Sequence, residues 1–119
     1  MFSHDGSSLH ERIYRLESDV EGFGEMTVYT VQWAPSFKRD YKLAIRRGLK
    51  VEKLQAVVGM LAMGERLAPK YKDHILKGRF AGLHECHIAP DWLLVYDKVE
   101  NTLTLKLVRT GTHDDLGLE

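Results

Sequence analysis

The strongest constraint on the fold lies in residues 83–108. Three runs rich in apolar residues, 83–88, 92–96 and 103–108, are separated by two short turn segments. Leu103, Leu105 and Leu107 alternate with Thr104, Lys106 and Val108, the two-residue period of a half-buried strand. Pro90-Asp91 supplies the first turn, with proline presetting φ, and residues 97–101 supply the second. Consecutive hairpins make the strands run up, down and up. The chain leaving the third strand near Arg109 therefore passes beside the Pro90-Asp91 turn, provided both hairpins pair in register.

The upstream half supplies a layer for this sheet. Residues 27–33 are β-branched and aromatic and read as a strand. Pro35 ends it and Ser36 is placed to cap a helix. Phe37, Tyr41, Ala44 and Ile45 form one apolar stripe at helical spacing; Lys38, Arg39, Lys42 and Arg46 lie mainly off it. Gly48 suits a helix C-terminus. Val51, Leu54, Val57 and Leu61 mark a second helix, stopped by Gly64, and the short connection implies an antiparallel helical hairpin. Residues 67–82 read as an irregular segment punctuated by Pro69, Gly78 and Gly82, and His74 lies in it. The element order is β-α-α-β-β-β. This is an α+β domain: two helices packed on one face of a mainly antiparallel sheet. Residues 1–25, with Gly22 and Gly24 interrupting any helix, read as an N-terminal arm. The domain proper spans 26–119.

A chain of 119 residues builds one core without staples. The single cysteine, Cys86, excludes an internal disulfide and suits a reducing cytoplasm. No apolar run reaches membrane-spanning length. The net charge of zero hides an asymmetry: residues 26–79 hold twelve basic and four acidic side chains. Such a basic middle points to a polyanionic partner.

The strand ends bring His87, Asp91, Trp92, Arg109 and His113 to one edge of the sheet. Two imidazoles can act as acid and base in one reaction, and Asp91 can orient one of them. Arg109 and nearby lysines suit a phosphate. Trp92 suits either a stacked base or the core. This set fits RNA cleavage by attack of a 2′-hydroxyl on the adjacent phosphate. There is no Cys-x-x-Cys or His-Glu-x-x-His spacing, and Cys86 and His87, adjacent on a strand, face opposite sides of the sheet. The expectation is a reaction without metal or cofactor.

Three motifs occur in order: Tyr71-Lys72-Asp73-His74-x-Leu76-x-Gly78, His87-x-x-Pro90-Asp91-Trp92-Leu93-Leu94-x-Tyr96, and Arg109-Thr110-Gly111-Thr112-His113. Together they resemble the YafQ branch of the RelE/ParE toxin superfamily, whose members are ribosome-dependent mRNA endonucleases of toxin–antitoxin modules. The resemblance implies a catalytic set of His74, His87, Asp91 and His113, with Trp92 beside it; Trp92, Arg109 and Lys72 are the expected substrate contacts. It implies a cognate antitoxin in a hetero-oligomer, with the ribosome and mRNA as targets. The basic helices, through Lys38, Arg39, Lys42, Arg46 and Arg47, are expected to contact ribosomal RNA. One departure stands out. The family's last motif usually closes with an aromatic residue, where this chain has Gly117. The alternative reading is a catalytically weakened protein of the same fold that binds an antitoxin or another protein target.

Overall fold

Proline at the first helical position has no N–H to leave unpaired, and it starts α1 (Pro35–Arg46). The computed structural model describes residues 28–117, so the expected arm at 1–25 lies outside the described residues. Ser36 does not cap α1. Ala34 holds that position without a side-chain bond, and the Ser36 hydroxyl instead donates to the Val108 carbonyl at 2.6 Å. Phe37, Tyr41 and Ala44 are the buried stripe of α1, as the periodicity requires. Beyond its C-terminus Gly48 takes φ +77°, the left-handed conformation that glycine adopts without a Cβ penalty. Helix α2 (Val51–Ala62) then buries Leu54, Val57, Val58 and Leu61.

The sheet has five strands in the order β1-β5-β4-β3-β2. Strand β1 (Thr30–Trp33) pairs in parallel with β5 (Thr104–Gly111). The remaining pairs, β5 with β4 (Trp92–Val99), β4 with β3 (His84–Ala89) and β3 with β2 (His74–Ile75), are antiparallel. Two expectations need correction. His74 belongs to a short edge strand rather than an irregular loop, because it pairs with Glu85. The second hairpin is longer than residues 97–101 suggest, because Asp97, Lys98 and Val99 stay in the ladder. Asp97 lies directly opposite Lys106, and opposite charges across a ladder are favourable.

Strand β4 sits at the centre, and Trp92 to Tyr96 are all buried. Leu94 and Tyr96 join Cys86, Leu105, Leu107, Phe37, Tyr41 and Leu54 in the main core under the helices. Leu93 and Val95 pack with Leu116, Leu76, Leu83 and Val108 in a smaller cluster. The sheet is thus covered on two faces. Each fully buried large side chain contributes about 1.5–3 kcal/mol, so the central strand anchors both layers. Because Glu85 and His87 pair with Val95 and Leu93, they share the smaller cluster's face.

Asp40 ties α1 to the sheet. It accepts from Arg109 Nε at 2.6 Å and from the Thr110 backbone N–H at 3.0 Å. Asp40→Asn is expected to lower unfolding stability by about 1.5–3 kcal/mol, the range for a hydrogen bond to a charged group. Denaturant titration of the variant beside the parent checks this.

Candidate active site

The last strand hands its chain to a single helical turn, α3 (His113–Leu116). Thr112 begins it with a reciprocal cap. Its hydroxyl accepts from the Asp115 N–H at 3.0 Å, and the Asp115 carboxylate accepts from the Thr112 N–H at 2.9 Å. Gly111 makes this turn possible, because a Cβ there would lie 2.9 Å from the Cβ of Asp115. His113 therefore occupies the first helical position, beside the Pro90-Asp91 turn. Its backbone N–H donates to Asp91 Oδ1 at 3.1 Å, and its Nδ1 lies 2.6 Å from the same oxygen. With Nδ1–H donating to the Asp91 carboxylate, Nε2 is the nitrogen left for chemistry, the arrangement in which a carboxylate fixes an imidazole tautomer. The bond from His113 holds the Asp91 carboxyl below its ordinary range.

His87 lies across from this pair, its ring centroid 5.7 Å from that of His113 and the planes at 62°. A register slip between His87 and Ala89 bends the end of β3 here, as bulges beside sites commonly do. On the other side, His74 and His87 share one carboxylate. His74 Nε2 is 3.2 Å and His87 Nε2 is 4.0 Å from Glu85 Oε1. His74 Nδ1 lies 2.8 Å from the Lys72 carbonyl, which only accepts, so that nitrogen carries a proton. Its contact with Glu85 becomes a hydrogen bond when a proton sits on Nε2 or on the carboxylate. Glu85 is only 5% exposed, and the sequence reading passed over it. The available signal was its place two residues before His87, which puts both on one face.

The four residues expected to be catalytic thus form two carboxylate-held groups: His113 with Asp91, and His74 with His87 through Glu85. Three other expected site residues are engaged elsewhere in the fold. Trp92 is 5% exposed; its Nε1 donates to Thr110 Oγ1 at 2.9 Å, and that hydroxyl donates to the Leu93 carbonyl at 2.7 Å. It is a core residue that braces β4 against β5 and offers no face to a base. Arg109 is engaged by Asp40 at 2.6 Å. Arg47, expected on ribosomal RNA, donates from Nη1 to Asp115 at 2.7 Å and from Nη2 at 3.2 Å. Lys72 is exposed and lies at the edge of the site, with φ +51°.

Two neighbours are structural. The Tyr96 hydroxyl donates to Asp73, and burial followed by that bond pushes its pKa up. Burial likewise pushes the Cys86 thiol up, which removes it as a nucleophile. Among the described residues no group of three His, Cys, Asp or Glu side chains is arranged to hold a metal ion.

The site thus stands on two helices packed against a mixed five-stranded sheet, with oriented imidazoles where the strands end. The model of the YafQ toxin of type II toxin–antitoxin systems matches residues 29–117. The mRNA interferase toxin YafQ of Escherichia coli K12 is 33% identical over 84 residues, 70% of this chain and 89% of the relative. A metal-bound toxin from Helicobacter pylori is 44% identical, covers 74% of this chain and 98% of its own, and has a TM-score of 0.70. The toxin in the E. coli DinJ-YafQ toxin–antitoxin complex is 32% identical, covers 75% of this chain and 97% of its own, and has a TM-score of 0.69. The chain belongs to the YafQ toxin family.

The Arg47 bond holds the Asp115 carboxyl down at about 2. A depressed carboxyl stabilises the fold above its unfolded pKa, and that contribution is lost as pH falls through the folded value. Arg47→Ala is expected to lower stability near neutrality and to move the acid-unfolding midpoint to higher pH, the difference from the parent shrinking as pH falls towards about 2. Circular dichroism across the interval from ordinary carboxylate titration down to about pH 2 measures the shift.

Proposed function

We propose that this chain is the toxin of a toxin–antitoxin pair and cuts mRNA on the ribosome, in the cytoplasm. The observation that carries the reading is the His113–Asp91 pair, with its bond of 2.6 Å and His87 at 5.7 Å. Two imidazoles at that spacing can flank one phosphate. In the proposed reaction His87, supported by His74 and Glu85, removes the proton of a ribose 2′-hydroxyl. The 2′-oxygen bonds to phosphorus, and the bond to the 5′-oxygen of the next nucleotide breaks. His113, oriented by Asp91, gives that oxygen its proton. The products are a 2′,3′-cyclic phosphate and a 5′-hydroxyl. Lys72 stands at the rim, where it can offset charge gathering on the phosphate.

The relatives support the biological setting. One of them is named an mRNA interferase toxin, and the toxin in the DinJ-YafQ complex is held by its antitoxin. A cognate antitoxin is accordingly the proposed partner here. The exposed residues Lys38, Arg39, Lys42 and Arg46 on α1 are the proposed contacts to ribosomal RNA. Arg47 is assigned to Asp115 instead.

The second reading, a weakened toxin that only holds its antitoxin, draws on one observation. Gly117 ends α3 at φ +71° and carries no ring where the family usually has one. The test is programmed ribosomes incubated with the parent, His87→Ala and His113→Ala proteins, followed by mapping of the RNA ends. The parent is expected to leave cyclic-phosphate and 5′-hydroxyl ends. Each variant is expected to cut about 10²–10⁴ times more slowly, and a 2′-deoxy nucleotide at the cut position is expected to abolish cutting. Full-rate cleavage by both variants would refute the assignment. Antitoxin binding without cleavage by the parent would establish the second reading.

A further inference from the structure

Strand β2 stops pairing after two residues, so the edge of β3 beyond Glu85 is left without a strand partner. The chain instead reaches this edge through a 3-10 turn at Pro69–Tyr71. Between that turn, α2 and the end of β3 lies a groove of about 510 Å³. Pockets that take small ligands span roughly 300–1,000 Å³. His87 forms part of its wall, so the groove opens directly onto the site.

The lining has two characters. Lys53 from α2 and Lys70 and Lys72 from the turn bring three ammonium groups to it, and no carboxylate lines it. None of the three lysines has a salt-bridge partner among the described residues. Val57, Ile88 and the ring of Tyr71 provide apolar surface beneath them. Lys70 Nζ lies 5.1 Å from the Tyr71 ring centroid, so one ligand can present a flat ring and an anion side by side. Lys72 joins the groove to the catalytic face, because its carbonyl receives His74 while its side chain lines the cavity.

We propose that this groove seats the ribonucleotide flanking the scissile phosphate on the His87 side, with its base against Tyr71 and the apolar floor and its phosphate among Lys53, Lys70 and Lys72. The proposal rests on the endoribonuclease reading above. It assigns substrate contacts to Lys53, Lys70 and Tyr71. The groove has no Asn, Gln, Ser or Thr in its lining, and its neutral polar groups are confined to the Tyr71 hydroxyl and the His87 ring. Phosphate contacts and stacking are tolerant of sequence. The groove therefore supplies affinity and register, and the choice of codon comes from elsewhere.

The probe is a short single-stranded oligoribonucleotide with 2′-O-methyl riboses, which cannot be cut. Its binding is followed by fluorescence anisotropy across a salt series, with the parent protein and with the Lys53→Ala/Lys70→Ala double variant. The double variant is expected to bind at least about tenfold more weakly at low salt. Its slope of log affinity against log salt is expected to flatten by about 1.4, at about 0.7 for each lost phosphate contact. The loss is expected to be equal for oligonucleotides of different base composition, and Lys53→Arg/Lys70→Arg is expected to restore binding. Both lysines are exposed, and thermal melts verify that the variants fold. Parent-like binding and ribosome-dependent cleavage by the double variant, while His113→Ala loses cleavage, would overturn the groove and leave the catalytic reading standing. Weakened antitoxin binding with unchanged oligonucleotide binding would assign the groove to a protein and overturn the proposal. Cleavage retained by His113→Ala would overturn the catalytic reading, and with it the placement of a substrate nucleotide here.

Discussion

Everything in this domain depends on β4 being buried on both faces. Its side chains from Trp92 to Tyr96 go alternately to the helix-covered core and to the smaller cluster around Leu116. A one-residue slip would exchange these sets. It would also change which side chain of β3 opposes Leu93. That position now holds His87, and a slip would offer Cys86 or Ile88 in its place. The register that fills two cores is therefore the register that presents the imidazole.

Around this strand the charged side chains divide into those that hold the fold and those left at the surface. Arg109 and Arg47 are held by Asp40 and Asp115, and each pair joins α1 or its C-terminal end to the chain around the end of β5. Both arginines look from composition like free positive charge for a polyanion. Arg39, Lys42 and Arg46 on α1, with the three lysines of the groove, are among the cations exposed at the surface. The histidines are also held by carboxylates, but at the strand ends, where the pairing restricts tautomer and orientation more than it adds stability.

Much of this was legible in the chain itself. The stripe Phe37, Tyr41, Ala44 requires a helix with one buried face. The alternation of Leu103, Leu105 and Leu107 requires a strand, and the Pro90-Asp91 turn with the consecutive hairpins brings His87 and His113 together. Other features carry no periodic signal. A strand of two residues, His74–Ile75, is too short to show a period, so the position of His74 was hidden. With it was hidden the role of Glu85, which looks like an ordinary charge in a strand until a second imidazole arrives beside it. Trp92 was ambiguous because a tryptophan suits a core and a stacking platform equally. Only the Thr110 hydroxyl, eighteen residues away and bonded to its Nε1, decides between them. Ser36 lost the cap to Ala34 because Pro35 already fits the first helical position and the serine found a carbonyl on β5.

The single turn that carries His113 has a consequence for how the protein fails. One turn of helix is far too short to persist alone. This one is fastened by the burial of Leu116, by the Arg47–Asp115 pair and by Arg79, whose Nη2 donates to the Leu116 carbonyl at 3.0 Å. These fastenings are side-chain bonds and one buried leucine on a single turn, whereas the sheet beneath rests on the two cores. Such elements open with a smaller free energy than the whole molecule. His113 can thus leave Asp91 while β4 and its neighbours stay folded. The domain has two thresholds, a lower one for assembling the imidazoles and a higher one for keeping the fold.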